Sequence, residues 1–156
     1  MRRWAKEAVD KNGARVFESQ KKMISWLQSQ DITVFIVTAS IQWAVEPAGE
    51  LAGIPFENVM GIQTEIDENG IVTDKQFGPI TWREGKAKAL LERTQGVKPI
   101  FCAGNTLGDI SLIDTSIGAK LCIQTQVEKN GLFEEEQKLF EHAKENDWPI
   151  HHFFNP

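Results

Sequence analysis

Three short stretches of the chain hold residues that handle anions and hard cations. The first is "VFIVTAS" at 34–40, an apolar run that ends in the hydroxyls of Thr38 and Ser40. The second is "EGKAKALL" at 84–91, with Lys86 in the first turn of a helical pattern. The third is "AGNTLGDISLI" at 103–113, where a strand-like run enters Gly104-Asn105-Thr106 and then Gly108-Asp109 at the opening of a helix. Hydroxyls and backbone N–H groups donate to phosphate oxygens, lysine supplies a point charge, and amide or carboxylate oxygens hold Mg²⁺. Each residue also has a plainer reading. Asp109 follows Thr106 by three, close to a capping box. Thr38 can simply end a strand, and for Ser40 a plain surface role is preferred. Lys86 can be a solvated helix residue, although a cation in a first turn opposes the helix dipole. Gly104 and Gly108 can serve tight turning and close packing, and Asn105 can be a turn former.

These residues need elements to position them. Apolar residues Val16, Phe17, Met23, Ile24 and Leu27 group on one face of a helix over 14–30. "ITVFIV" at 32–37 reads as a strand buried on both faces. A helix over 41–52 stops at Gly53 and Pro55, and "NVMGI" at 58–62 is another short strand. The segment around Glu68-Asn69-Gly70 alternates as a hairpin with a tight turn. There follow a helix over 84–95, a strand over 99–103, a helix over 107–116, a strand over 119–123 and a charged helix over 133–146. This alternation predicts an α/β fold, Rossmann-like and three-layered, with a mostly parallel sheet plus a β-hairpin. Ligands bind at the carboxyl ends of strands in such sheets. Thr38, Lys86, Asn105 and Asp109 are therefore expected to meet at one edge.

Composition excludes several classes. The chain has 156 residues, 41% hydrophobic and 25% charged, with net charge −5 and no Lys/Arg block, which argues against a nucleic-acid partner. The longest apolar run, 32–41, is too short to span a bilayer. Cys102 and Cys122 sit in apolar runs and read as buried free thiols. His142, His151 and His152 have no spacing for a metal site, and the five tryptophans are dispersed. "LFEEEQKLFEHAKEND" reads as an amphipathic helix with a solvated face.

The three stretches, in this order, resemble the haloacid dehalogenase-like superfamily, in particular its phosphoserine phosphatase-like and phosphorylcholine phosphatase-like branch. The match covers roughly residues 14–125, and the whole of 1–156 is expected to form a single core domain. The resemblance implies Mg²⁺-dependent hydrolysis of a small phosphorylated substrate through an aspartyl-phosphate. On it, Thr38, Ser40, Gly104 and Thr106 contact phosphate or substrate. Lys86 neutralises the phosphoryl group. Asn105 stands where a metal-binding aspartate is common, and Asp109 orients Lys86 or the metal's water shell.

The family's opening motif, Asp-x-Asp-x-Thr after an apolar strand, is absent. No Asp-x-Asp occurs anywhere, and Asp10, Asp31 and Asp67 lack both the partner and the preceding strand. The nucleophile and the family's first, central strand are thus expected to be missing, leaving an inactive C-terminal part of a longer phosphatase without its cap. The other readings are a non-catalytic phosphate-binding domain and a half that completes its sheet as a homodimer. The sequence does not give the compartment, since any signal peptide would fall in the missing part; soluble and cytoplasmic is the default.

Overall fold

A computed structural model describes residues 2–12, 16–125 and 131–153. Backbone contacts divide the chain into two units, 1–81 and 82–156.

The first unit opens with helix α1 (Arg2–Asn12) and helix α2 (Glu18–Ser29), then runs through strand β1 (Ile36–Ile41), helix α3 (Gln42–Leu51), a 3₁₀ turn at Phe56–Asn58, and strands β2 (Val59–Ile66) and β3 (Val72–Phe77). β1 and β2 are parallel, joined through α3, and β2 and β3 form the antiparallel hairpin foreseen around Asn69-Gly70. Its turn is held by the Asp67 carboxylate, which accepts from the N–H groups of Asn69 and Ile71, while Gly70 takes φ +77°. That conformation is cheap only for glycine.

The strand predicted at 32–37 is displaced. It begins at Ile36 and carries on through Thr38, Ala39 and Ser40, and none of residues 32–37 is fully buried. The cause is pairing: β1 is an end strand of the order β1-β2-β3, so its ladder starts where Val59 comes alongside Ile36. The register also slips. Four steps from Val37 to Ile41 face two from Met60 to Ile62, so Thr38-Ala39-Ser40 bulges out of the ladder. Gly61 accommodates the bulge, since a Cβ there would lie 2.7 Å from both Ser40 O and Gln42 Cα.

Helix α1, which the sequence reading passed over, packs on α3. Glu46 of α3 is 3% exposed and takes Arg2 Nε at 2.5 Å and Nη2 at 3.0 Å. Gln42 donates to the same carboxylate and accepts from Gly61 N–H and Gln63, tying α1 to β2 through α3. The Arg2 hydrogen bond holds the Glu46 carboxyl below its usual pKa of 4.5. Its contribution is therefore present above that value and is lost as pH falls through the lowered pKa. Hydrogen exchange of α1 amides should accelerate on acidification, and in Arg2→Met the exchange should already be fast at neutral pH. An α1 equally protected in both proteins at neutral pH would show that the pair does not hold it. Because Arg2 is largely exposed, a modest effect is expected.

The second unit comprises helix α4 (Glu84–Arg93), strand β4 (Phe101–Gly104), a 3₁₀ turn at Leu107–Asp109 leading into helix α5 (Ile110–Ile113), strand β5 (Ala119–Gln124), helix α6 (Phe133–Glu145) and strand β6 (Ile150–His152). The order is β4-β5-β6, all parallel. α6 packs on β5 and on the 107–109 turn, and Leu139, Ala143, Ile113 and Cys122 are fully buried. Cys102 and Cys122 are buried free thiols, and burial pushes Cys122 up to about 11. The helix predicted over 107–116 is shorter, because its first turn is tightened to 3₁₀ and Thr115 Oγ1 closes its end on Leu112 O. β6 has only three residues, too few for a periodic signal.

Candidate functional site

The approach to Lys86 is set by a turn. Gly85 N–H donates to Trp82 O at 3.0 Å across Arg83, whose φ is +49°. Lys86 then follows as the third residue of α4, on the face that also buries Ala89 and Leu90. Burial drives that face inward and carries the lysine with it.

At the carboxyl end of β4, Asp109 meets the lysine. Lys86 Nζ donates to Asp109 Oδ1 at 2.5 Å, with the two residues 9% and 7% exposed. Asp109 Oδ2 accepts from Asn105 N–H at 3.1 Å, Thr106 N–H at 3.0 Å and Thr106 Oγ1 at 3.1 Å. Thr106 and Asp109 thus form a capping box, and the capping and pairing roles coexist on one carboxylate. Gly104 makes the approach possible. A Cβ at 104 would stand 2.5 Å from Asp109 Cβ and 2.9 Å from its Oδ2, while one at Gly108 would meet only ordinary contacts.

Lys86, Gly104, Asn105, Thr106 and Asp109 therefore come together within the second unit. Thr106 directs both its N–H and its hydroxyl to Asp109, and Asn105 its N–H. Thr38 and Ser40 belong to the first unit, inside the bulge of β1 rather than after the strand. Thr38 Oγ1 accepts from Ser40 N–H at 3.1 Å, which leaves its own proton to donate elsewhere. Thr81 Oγ1 donates to Thr38 O at 2.5 Å and pins the bulge.

The sequence reading missed Glu136. α6 was expected to be a solvated face, but Glu136 is 1% exposed. Its carboxylate accepts from Asn105 Nδ2 at 2.9 Å, Thr125 Oγ1 at 2.6 Å and Thr125 N–H at 3.0 Å. One faint signal existed: Glu136 lies three residues before the buried Leu139 in the same helical stripe.

This donor set does not fit a divalent cation by itself. Both oxygens of Asp109 are engaged, and Asn105 brings only a neutral amide tied to Glu136. Among the described residues, no group of three His, Cys, Asp or Glu is placed to hold a metal ion. No helix among them is long and apolar enough to cross a membrane.

Parallel-rich sheets with helices between the strands, and polar residues gathered after β4, define an α/β protein of the kind that takes ligands at strand ends. The chain belongs to the haloacid dehalogenase-like hydrolase family, whose model matches residues 1–114 and so includes all three stretches. The family generally uses Mg²⁺. No curated relative matches the chain. Solved structures that share the fold include the following three. A protein of unknown function from Bordetella pertussis Tohama I has TM-score 0.77 at 15% identity over 97% of this chain. A conserved, functionally unknown protein from Anaerococcus prevotii DSM 20548 has 0.68 at 22% over 88%. A phosphoserine phosphohydrolase-like protein from Francisella tularensis subsp. tularensis SCHU S4 has 0.66 at 14% over 96%. This chain spans 65%, 37% and 65% of those three proteins.

Proposed function

We propose that the chain carries the lysine-bearing part of a haloacid dehalogenase-like phosphomonoester hydrolase acting on a small phosphorylated metabolite, and that these residues alone do not turn substrate over. The observation that carries the reading is the buried Lys86–Asp109 pair at the carboxyl end of β4, locked by the capping of Asn105 and Thr106.

Hydrolysis of a phosphomonoester needs attack at phosphorus, relief of charge on the phosphoryl oxygens, and a proton for the leaving oxygen. Lys86 is suited to the second task. Its ammonium has further N–H donors beyond the one given to Asp109, and the Asp109 carboxylate aims the side chain. Thr38, with its hydroxyl proton left to donate, is suited to an anionic oxygen, and Ser40 N–H fixes its rotamer. Attack and proton donation would fall to the paired aspartates of the family, and the chain has no Asp-x-Asp. Mg²⁺ dependence belongs, on this reading, to a site completed by those carboxylates. In this chain Asn105 supports it weakly, since hard cations favour charged oxygens.

The missing Asp-x-Asp also favours a second reading, a domain that binds phosphate without hydrolysing it. One set of measurements tests both. With p-nitrophenyl phosphate and Mg²⁺, the native chain should show no turnover above background. Turnover that disappears in Lys86→Ala would overturn the assignment of an absent nucleophile. Inorganic phosphate that raises the melting temperature of the native chain but not of Lys86→Met would favour the binding domain, and no such rise would remove it.

A further inference from the structure

A cleft of about 360 Å³ opens in the first unit between α1 and α3, with Phe56 of the 3₁₀ turn as its third wall. That volume falls in the range of small-ligand sites. Two kinds of surface meet in it. Buried Pro47 and the half-exposed ring of Phe56 are apolar, while Arg2, Arg3 and Lys6 line the α1 side. The chain as a whole carries net charge −5, yet the first turn of α1 holds no acidic residue.

The three cations are not equally committed. Arg2 is bound through Nε and Nη2 to Glu46, whose charge is thereby matched in place, and Gln42 donates to the same carboxylate. The Arg2 guanidinium also lies 5.7 Å from the centre of the Phe56 ring. Arg3 and Lys6 pair with Glu7 and Asp10 of their own helix, at 3.6 and 3.8 Å, and all four side chains are more than half exposed. Pairs of that kind are worth little and yield readily to a better partner. With Arg2 and Glu46 matched, two available cations face one further acid in the lining, Glu50 of α3.

We propose that this cleft binds a small organic anion with a flat apolar body, an aromatic carboxylate by class. Arg3 and Lys6 hold the acid group, and the ring lies against Phe56 and Pro47. An inorganic anion would leave the apolar walls uncovered, and a neutral ring would leave the cations unmatched. The inference does not rest on the phosphohydrolase reading, because every lining residue belongs to the first unit.

Amide NMR spectra of the full chain, titrated with 1-naphthoate, test this. Saturable shifts are expected at the start of α1, at 46–50 and at Phe56, with a dissociation constant of about 1 mM or tighter, the affinity ordinary ligand efficiency sets for a body of this size. The neutral 1-naphthalenemethanol should bind roughly tenfold more weakly, and Arg3→Gln combined with Lys6→Gln should bring naphthoate down to the same level. Both substituted side chains are exposed, so the variant should melt with the native protein. Glu50→Gln should tighten naphthoate by about threefold, which adsorption of a bare ring would not do. The proposal is overturned if naphthoate gives no saturable shifts, or if the alcohol and the carboxylate bind alike. It is overturned equally if the double variant binds as the native chain does, or if the shifts centre on the exposed Trp26 instead of the cleft. Any of these results leaves the reading of Lys86 and Asp109 untouched.

Discussion

Lys86→Met is expected to lower the stability of the second unit by about 3 kcal/mol, near the lower end of the cost of breaking a buried ion pair. Methionine keeps the apolar stem and the packing beside Ala89 and Leu90, so the loss reports the charge. Asp109 Oδ1 would be left buried with no donor, in a residue only 7% exposed. Three donors on Oδ2 stay in place and keep the effect from rising higher. In urea the midpoint should fall by on the order of 1–2 M with an unchanged slope. Lys86→Met combined with Asp109→Asn should recover a large part of the loss. The amide can still accept from Asn105 and Thr106 N–H, and it carries no charge to bury. If the single variant is as stable as the native chain, Lys86 is solvated and the pairing that supports the functional reading is wrong.

Gly104→Ala should be nearly as damaging, by about 2–3 kcal/mol, for a steric reason. The new methyl would stand 2.5 Å from Asp109 Cβ, a distance that nonbonded carbons do not tolerate. Asp109 is not the loose end of a flexible chain. Its carboxylate is bound at four points, and its backbone N–H donates to Thr106 O at 2.9 Å. Relief therefore requires the corner to open, which separates Asp109 from Lys86. Non-additivity is the diagnostic: in a Gly104→Ala background, Lys86→Met should cost less than about 1 kcal/mol, since the pair is already broken. Full additivity of the two substitutions would mean that the alanine is absorbed elsewhere and that Gly104 serves only the turn.

These effects concentrate on one carboxylate. Asp109 caps the turn after β4 and also holds the lysine, so stability and the proposed chemistry share an atom set. Asn105 is bound on two sides, by its N–H to Asp109 and its NH₂ to Glu136. The corner is rigid before any ligand arrives, which is what charge stabilisation of a phosphoryl group calls for.

Much of this was legible in the order of residue types. Strand-like runs alternating with helical stripes imply parallel pairing through helices, and both β1–β2 and β4–β5–β6 are parallel. The turn at Asn69-Gly70, the capping spacing from Thr106 to Asp109 and the apolar setting of the two cysteines were readable because each depends on neighbours within a few positions. The residues that identify the family lie in three such local patterns, within the segment that the family model matches.

What tertiary structure alone decided are relations between distant residues. The start of β1 at Ile36 and the bulge at Thr38-Ala39-Ser40 follow from which β2 residues come alongside, a matter of register that side-chain periodicity does not encode. Glu136 looked solvated because its helix is acidic, and only the fold brings Asn105 and Thr125 to it with the donors that make burial of a carboxylate tolerable. Local preference determines which element forms. Partners supplied from elsewhere in the chain determine which polar group can leave water, and that choice makes the corner after β4.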